Sequence, residues 1–102
     1  MSISLKIEFG GGLELLFSNE RSHRISLPTI QPDGRPTNIT DLIFWLRDNK
    51  LKERPELFVE DKTVRPGILV LVNDTDWELE GEGDYEVKDG DEIVFISTLH
   101  GG

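Results

Sequence analysis

One segment alone has the apolar spacing of an amphipathic helix, and this feature constrains the fold more than any other. Its four apolar residues recur at i, i+3, i+4 and i+7: Ile39, Leu42, Ile43 and Leu46. Asn38 is a suitable N-cap and Asp41 occupies the capping-box position. Because Pro55 cannot continue a helix, we expect this one to end near Asn49. A single helix leaves the other apolar segments to form a sheet, on which its apolar face must pack.

The segments on both sides of this helix are typical of β-strands. Residues 3–9 alternate between apolar and polar side chains, which predicts a half-buried strand. The Gly10-Gly11-Gly12 run and the apolar residues 13–17 then predict an N-terminal hairpin, whose second strand resumes near residues 24–27. After the helix, we expect strands at residues 57–59, 68–72 and 92–97. This order of elements predicts an α+β fold in which the sheet wraps one main helix.

Composition excludes several functional classes. The chain has 102 residues, enough for one domain, and its lack of cysteine excludes disulfides, thiolate metal sites and a cysteine nucleophile. Neither His23 nor His100 has a neighbour at metal-ligand spacing, so we predict no metal site, no bound cofactor and no catalytic residue. The glycine run would suit a phosphate-binding loop only if a helix followed it directly, and we predict a strand there.

No apolar run approaches the ~20 residues of a membrane helix. The N-terminus lacks the features of a secretory signal, so we expect a cytoplasmic protein that binds no membrane.

The net charge of −9 arises from one segment, because residues 74–92 hold ten acids and one base while the rest of the chain is neutral. Every second residue from 74 to 86 is acidic, beginning with Asp74, Asp76, Glu78 and Glu80. Among the residues between the acids are Trp77, Leu79 and Tyr85. A period of two predicts an extended segment with one acidic stripe and one packed face. The stripe is either a solvated edge that opposes aggregation or a docking site for a basic protein partner. It argues against direct binding of nucleic acid, whose phosphates would be repelled.

Two predicted strands are apolar on both faces, although one helix can cover only one face of the sheet. In residues 68–72, one of two alternating sets must therefore face away from the helix. The sets are Ile68, Val70 and Val72, or Leu69 and Leu71. With part of residues 93–96, the outward set would form a docking patch, for which we name Leu69, Leu71 and Phe95. Cover by a loop is the alternative.

The C-terminus carries the strongest functional signal. We expect a folded body at residues 1–97 and a flexible tail at residues 98–102, which ends in Gly101 and Gly102. Because glycine lacks Cβ, this pair could thread a narrow enzyme channel, followed by His100 and Leu99. Five extended residues reach about 17 Å, and an ATP-dependent enzyme could convert the Gly102 carboxylate to an acyl-adenylate. An ordinary frayed terminus is the alternative.

Five segments carry a resemblance to a known family. They read EFGGG at residues 8–12, LKERPELF at 51–58, VRPGILVL at 64–71, DWEL at 76–79 and FISTLHGG at 95–102. Together they resemble the eukaryotic ubiquitin-related modifier family of the tRNA-thiolation pathway. The turn at residues 88–92 is similar to that of bacterial sulfur carriers of molybdopterin and thiamin synthesis. The resemblance implies a β-grasp (ubiquitin-like) fold, with a mixed sheet wrapped on one main helix.

The resemblance also implies a mechanism and a set of partners. An E1-like adenylyltransferase and sulfurtransferase with a rhodanese domain would use ATP to adenylate Gly102 and convert it to a thiocarboxylate. A cytosolic tRNA thiouridylase complex would use this sulfur for 2-thiolation of the wobble uridine. The same glycine would form isopeptide bonds with lysines of target proteins, notably under oxidative stress. The protein would act in the cytoplasm as a carrier and not as an enzyme, and a second location in the nucleus is left open. A non-covalent ubiquitin-like interaction module is the alternative.

Overall fold

The computed structural model describes residues 1–52 and 54–98, and the strands within them form a five-stranded sheet and a short separate pair. The strands of the large sheet are β1 (Ser2–Gly10), β2 (Ser22–Pro28), β5 (Ile68–Val72), β6 (Thr75–Asp76) and β7 (Glu92–Ser97). Their order is β2-β1-β7-β5-β6. The separate pair is formed by β3 (Val59–Glu60) and β4 (Thr63–Val64). Strands β1 and β7 run parallel and the other pairs run antiparallel, so the large sheet is mixed.

Helix α1 (Ile39–Asn49) begins and ends where the sequence predicts. The Asn38 side chain accepts a hydrogen bond from the Asp41 backbone N–H, and the Asp41 carboxylate accepts one from the Asn38 N–H, each at 2.9 Å. This reciprocal capping box satisfies two of the N–H groups that a helix start leaves free. The four residues of the predicted apolar stripe are completely buried. The α+β prediction, one main helix packed on a mixed sheet, is therefore confirmed.

The core lies between α1 and the inner face of the sheet. Alternate residues of β1, β5 and β7 contribute to it, and those that are fully buried are Leu5, Ile7, Phe9, Val70, Ile93 and Phe95. Phe9 and Phe17 stack with their ring centroids 3.8 Å apart. Phe58 packs edge-on against both Phe17 and Phe95. Aromatic pairs in such geometries add to the stabilisation from burial alone.

The prediction that residues 13–17 form a strand is wrong. Leu13–Phe17 is a 3₁₀ helix, preceded by Gly11 and Gly12, whose φ angles are +67° and +100°. Leu13 and Leu16 are buried three residues apart, as the three-residue turn of this helix requires, while Leu15 is 61% exposed. The N-terminal hairpin itself exists, but its second strand begins at Ser22.

The prediction for residues 57–59 is wrong in part. Pro55–Leu57 is a short 3₁₀ helix, and the strand begins only at Val59. The predictions for β5 and β7 are confirmed at both ends. Within residues 1–52 and 54–98, no helix has the length and apolar character needed to cross a lipid bilayer.

Candidate functional site

The outer face of the sheet, opposite α1, carries a small apolar surface. It consists of Leu69 and Leu71 from β5 and Val94 and Ile96 from β7, all of them half-buried. Leu69 pairs with Ile96 and Leu71 pairs with Val94, so the four side chains are neighbours across adjacent strands. Of the two sets that the sequence left open, the set of Leu69 and Leu71 faces outward. We call these four residues the outer apolar face.

Phe95 does not belong to this face, and its inclusion in the predicted docking patch is wrong. Its side chain is fully buried, with its ring 5.8 Å from that of Phe9 and 5.4 Å from that of Phe58. Successive residues of a strand point to opposite faces, so a buried Phe95 places Val94 and Ile96 on the outside. The sequence could not decide this phase because every residue from 93 to 96 is apolar.

Charged residues border the outer apolar face. On β1, Lys6 lies beside Glu92 and Glu8 lies beside Val94 in the parallel pairing. The Lys6 ammonium is 3.6 Å from the Glu8 carboxylate and 4.0 Å from that of Glu92. An apolar centre with a charged border is the usual composition of a protein-docking surface.

The end of β7 lies at the edge of this face and is held from both sides. The backbone N–H and the hydroxyl of Thr98 both donate hydrogen bonds to the Gly67 carbonyl oxygen, at 2.8 Å and 2.6 Å. On the other side, the backbone of Gly11 lies so close to Ser97 that a Cβ at Gly11 would collide with the Ser97 carbonyl oxygen. The chain is therefore fixed as far as Thr98.

The predicted tail residues Leu99, His100, Gly101 and Gly102 lie outside the described residues, so their roles stay predictions. The boundary between a folded body at residues 1–97 and a tail at residues 98–102 also stays a prediction. The first residue assigned to the tail, Thr98, is hydrogen-bonded to the body as described above.

The acidic segment, residues 74–86, is not the extended stripe that its alternation suggested. After β6, the chain forms two 3₁₀ helices, Trp77–Leu79 and Glu82–Asp84. The Asp76 carboxylate caps the first by accepting a hydrogen bond from the Glu78 N–H at 2.9 Å. Trp77 is buried as expected, but Leu79, which the alternation placed on the packed face, is 79% exposed. Three of the four acids named from the sequence are exposed, namely Asp74, Glu78 and Glu80, and Asp76 is half-buried.

Asp91 attaches the acidic segment to the body, a role that the sequence did not reveal beyond its place in a turn. Its buried carboxylate accepts hydrogen bonds from the Tyr85 hydroxyl at 2.7 Å, the Lys88 backbone N–H at 2.8 Å and the Asn73 side-chain amide at 2.9 Å. Burial of the phenol, together with its hydrogen bond to Asp91, raises the pKa of Tyr85 to about 12. The start of α1 provides a second attachment, since the Ile39 N–H donates to the Tyr85 carbonyl oxygen at 3.0 Å.

The histidine and acidic residues form no metal centre in the part of the chain that the structure describes, where no three potential ligands come together. His23 lies beside the aromatic cluster, with its ring in an edge contact 5.4 Å from that of Phe9. Its Nε2 is 3.0 Å from the Glu20 carbonyl oxygen. His23 thus has a packing role, and His100 lies among the tail residues outside the described part.

Comparison with known proteins identifies the family. The model of the Urm1 (Ubiquitin related modifier) family matches residues 4–102. The chain belongs to this family. It is 62% identical to ubiquitin-related modifier 1 of Coprinopsis cinerea, over 99% of this chain and 94% of that protein. It is 55% identical to ubiquitin-related modifier 1 of Homo sapiens, over 98% of this chain and 96% of that protein.

Solved structures agree with this assignment. The solution structure of Urm1 from Trypanosoma brucei matches with a TM-score of 0.78 and 47% identity, over 99% of this chain and 97% of that one. The crystal structure of the Amycolatopsis orientalis BexX/CysO complex contains a chain that matches with a TM-score of 0.71. That chain is only 20% identical, over 96% of this chain and 99% of that one, so it supports the fold alone. The resemblance and the β-grasp fold inferred from the sequence are confirmed. As a ubiquitin-like modifier, this protein is a small carrier rather than an enzyme.

Proposed function

We propose that this ubiquitin-related modifier carries sulfur on its C-terminal glycine. An E1-like enzyme with a rhodanese domain adenylates Gly102 and converts it to a thiocarboxylate. A cytosolic thiouridylase complex then uses the sulfur for 2-thiolation of the wobble uridine in tRNA. The same residue is also conjugated to lysines of target proteins. The observation that supports this function most strongly is the family match, which runs through the terminal diglycine to Gly102.

The chemistry needs only the terminal carboxylate from this chain. The carboxylate oxygen attacks the α-phosphorus of ATP, pyrophosphate leaves, and the acyl-adenylate forms in the activating enzyme. A persulfide on that enzyme then attacks the carbonyl carbon and displaces AMP, and a thiol cleaves the resulting acyl disulfide to release the thiocarboxylate. The chain itself contains no cysteine, so both the persulfide and the thiol must come from the partner. ATP is thus a substrate of the partner, and this protein binds no cofactor of its own.

The outer apolar face is the proposed docking site for the activating enzyme. Its charged border gives an apolar contact area of the kind that protein partners bury. It also adjoins Thr98, so a partner bound there would lie beside the start of the tail. The exposed acids of residues 74–86 would attract a basic surface on the same partner or on the thiouridylase complex. Both partners would be met in the cytoplasm.

Intact-mass analysis tests the proposed function directly. The protein is incubated with the activating enzyme, ATP and a sulfur donor, and we expect one carboxylate oxygen to be replaced by sulfur. A variant lacking Gly101 and Gly102 is the control, and its mass should not change. If the wild-type mass also stays unchanged while the enzyme consumes its other substrates, the carrier function is wrong.

A cellular test separates the carrier from a non-covalent interaction module. A strain that carries only the form lacking Gly102 is assayed for wobble-uridine thiolation. We expect thiolation to be lost, because no carboxylate remains at the position that the enzyme activates. Normal thiolation in this strain would favour the interaction module.

A further inference from the structure

The carbonyl oxygen of Gly67 accepts two hydrogen bonds from one residue, Thr98, which is the last described residue of the chain. One comes from the backbone N–H at 2.8 Å and one from the hydroxyl at 2.6 Å. Gly67 has a φ of +99°, a conformation that favours glycine, and it lies directly before β5. The end of β7 is thus tied to the turn that leads into the neighbouring strand.

The opposite side of the same strand end is closed by Gly11. It follows β1, the other neighbour of β7, and its backbone packs directly on Ser97. A side chain at either glycine would be strained by its positive φ, and at Gly11 it would also collide with Ser97. We call Gly11, Gly67 and Thr98 the exit clamp.

We propose that Thr98 is a positioning residue for activation of the C-terminal glycine, because the exit clamp fixes the point at which the tail leaves the sheet. This inference rests on the proposed function. The span from the clamp to Gly102 covers residues 99–102, and four extended residues reach about 14 Å. Ile96, at the edge of the outer apolar face, lies two residues before Thr98. For a partner docked on that face, the glycine carboxylate therefore lies within a limited distance of a fixed point, Thr98.

The expected benefit is entropic. If the strand end frayed, at least one more residue would have to be ordered when the tail enters the enzyme, at the usual cost of fixing a backbone. The effective concentration of the carboxylate at the active site would fall for the same reason. Because this cost applies to tail binding and not to the chemical step, the clamp should influence KM more than kcat.

Thr98→Val removes the hydroxyl donor and keeps the β-branched shape, so it tests the clamp with little change in packing. We expect kcat/KM for adenylate formation, followed by ATP–pyrophosphate exchange, to fall about tenfold, mostly through KM. Thr98→Ser restores a hydroxyl and should return the rate to near the wild-type value. Thr29→Val is the matched control, because the exposed Thr29 hydroxyl has no hydrogen bond within residues 1–52 and 54–98. Wild-type kinetics in Thr98→Val would overturn the proposal.

Backbone ¹⁵N relaxation provides a readout that needs no enzyme. In the wild type, the Thr98 amide should have an order parameter near the ~0.85 of rigid backbone, and Thr98→Val should lower it. A wild-type value below about 0.6 would show that the strand end is already loose and would overturn the clamp. If the clamp is rigid but the activating enzyme leaves the wild type unmodified, the failure lies in the proposed function.

Discussion

Asp91 is 7% exposed, and its side chain joins three separate parts of the chain. The donors are Tyr85 in the acidic segment, Lys88 in the following turn and Asn73 after β5. The Asn73 side chain continues the network, since its oxygen accepts a hydrogen bond from the Glu92 N–H at 2.9 Å. A carboxylate is tolerated at such a site only when its oxygens are well supplied with donors. This one residue therefore holds the acidic segment against the ends of β5 and β7.

Tyr85 reports on this network, because it is the only tyrosine in the chain. Its pKa is raised to about 12 by burial and by Asp91, whereas an unfolded tyrosine titrates near ~10. The contribution of Tyr85 to stability is thus fully present below pH ~10 and is lost as the pH rises towards ~12. We expect the tyrosinate absorbance to reach its midpoint near pH 12. Circular dichroism at each pH verifies that the fold persists.

Asp91→Asn separates the two causes of this shift. The variant keeps an acceptor for the phenol but removes the negative charge, so the midpoint should fall and yet stay above that of an unfolded tyrosine, since burial remains. A wild-type midpoint at the unfolded value, in a protein that is still folded, would contradict the hydrogen bond to Asp91.

At the scale of the elements, the sequence predicted correctly the helix and strands whose spacing of apolar residues fits only one type of secondary structure. The alternation of residues 3–9 gives β1, and the helical stripe with its capping box gives α1. Residues 13–17 were misassigned because a short apolar run fits a strand and a buried helical turn equally well. The alternating acids failed for another reason. Asp76 and Gly81 start 3₁₀ helices, which convert a period of two in the sequence into a period of three in space.

The candidate site was predicted in part. The sequence left open whether Leu69 and Leu71 face the core or the outside. The burial of Val70 in the core shows that they face outward. Phe95 was assigned to the wrong face because residues 93–96 are all apolar, and the polar residues at the two ends of β7, Glu92 and Ser97, lie on opposite faces and indicate opposite phases. The exit clamp could not be foreseen, since its bonds join Gly67 to Thr98 and its packing joins Gly11 to Ser97. The terminal glycines could be named from the sequence because their proposed role depends on chain chemistry and not on packing.

The two glycines after β1 should respond differently to alanine. Both have left-handed φ angles, so either change costs about 1–2 kcal/mol of strain. At Gly12 no atom lies within 4 Å of the added Cβ, but at Gly11 the Cβ meets the Ser97 backbone. We expect Gly11→Ala to lose about 3 kcal/mol of unfolding free energy and Gly12→Ala clearly less, measured by urea unfolding. Equal losses would show that Gly11 does not support the end of β7.

The outer apolar face gives a prediction at the level of the sheet. Leu71→Ser removes a central apolar contact and should weaken binding to the activating enzyme about tenfold, measured by calorimetry. Leu15→Ser, on the 3₁₀ helix Leu13–Phe17, is the matched control and should bind like the wild type. If both variants bind equally well, the enzyme docks elsewhere on the molecule.

At the scale of the whole molecule, charge is segregated. Residues 74–92 account for the net charge of −9, while the remainder is neutral. The 3₁₀ helices of the acidic segment keep most of these acids in solvent, and Asp91 attaches the segment to one end of the sheet. The protein therefore has a strongly asymmetric charge distribution. Its electric field will orient a basic partner before contact.

This orientation can be measured as a salt-dependent association rate. A first variant reverses three charges in the acidic segment, through Glu78→Lys, Glu80→Lys and Glu82→Lys. It should associate with the activating enzyme about tenfold more slowly than the wild type at low ionic strength. The matched control changes the net charge by the same amount at exposed acids elsewhere: Glu20→Lys, Glu56→Lys and Glu60→Lys. The control should associate faster than the first variant, because steering depends on where the charge lies.

At about 1 M salt the Debye length falls to ~3 Å, so the rates should converge. Stopped-flow rates that are equal for the two variants at low salt would mean that total charge alone matters, and that the acidic segment is only a solvated surface.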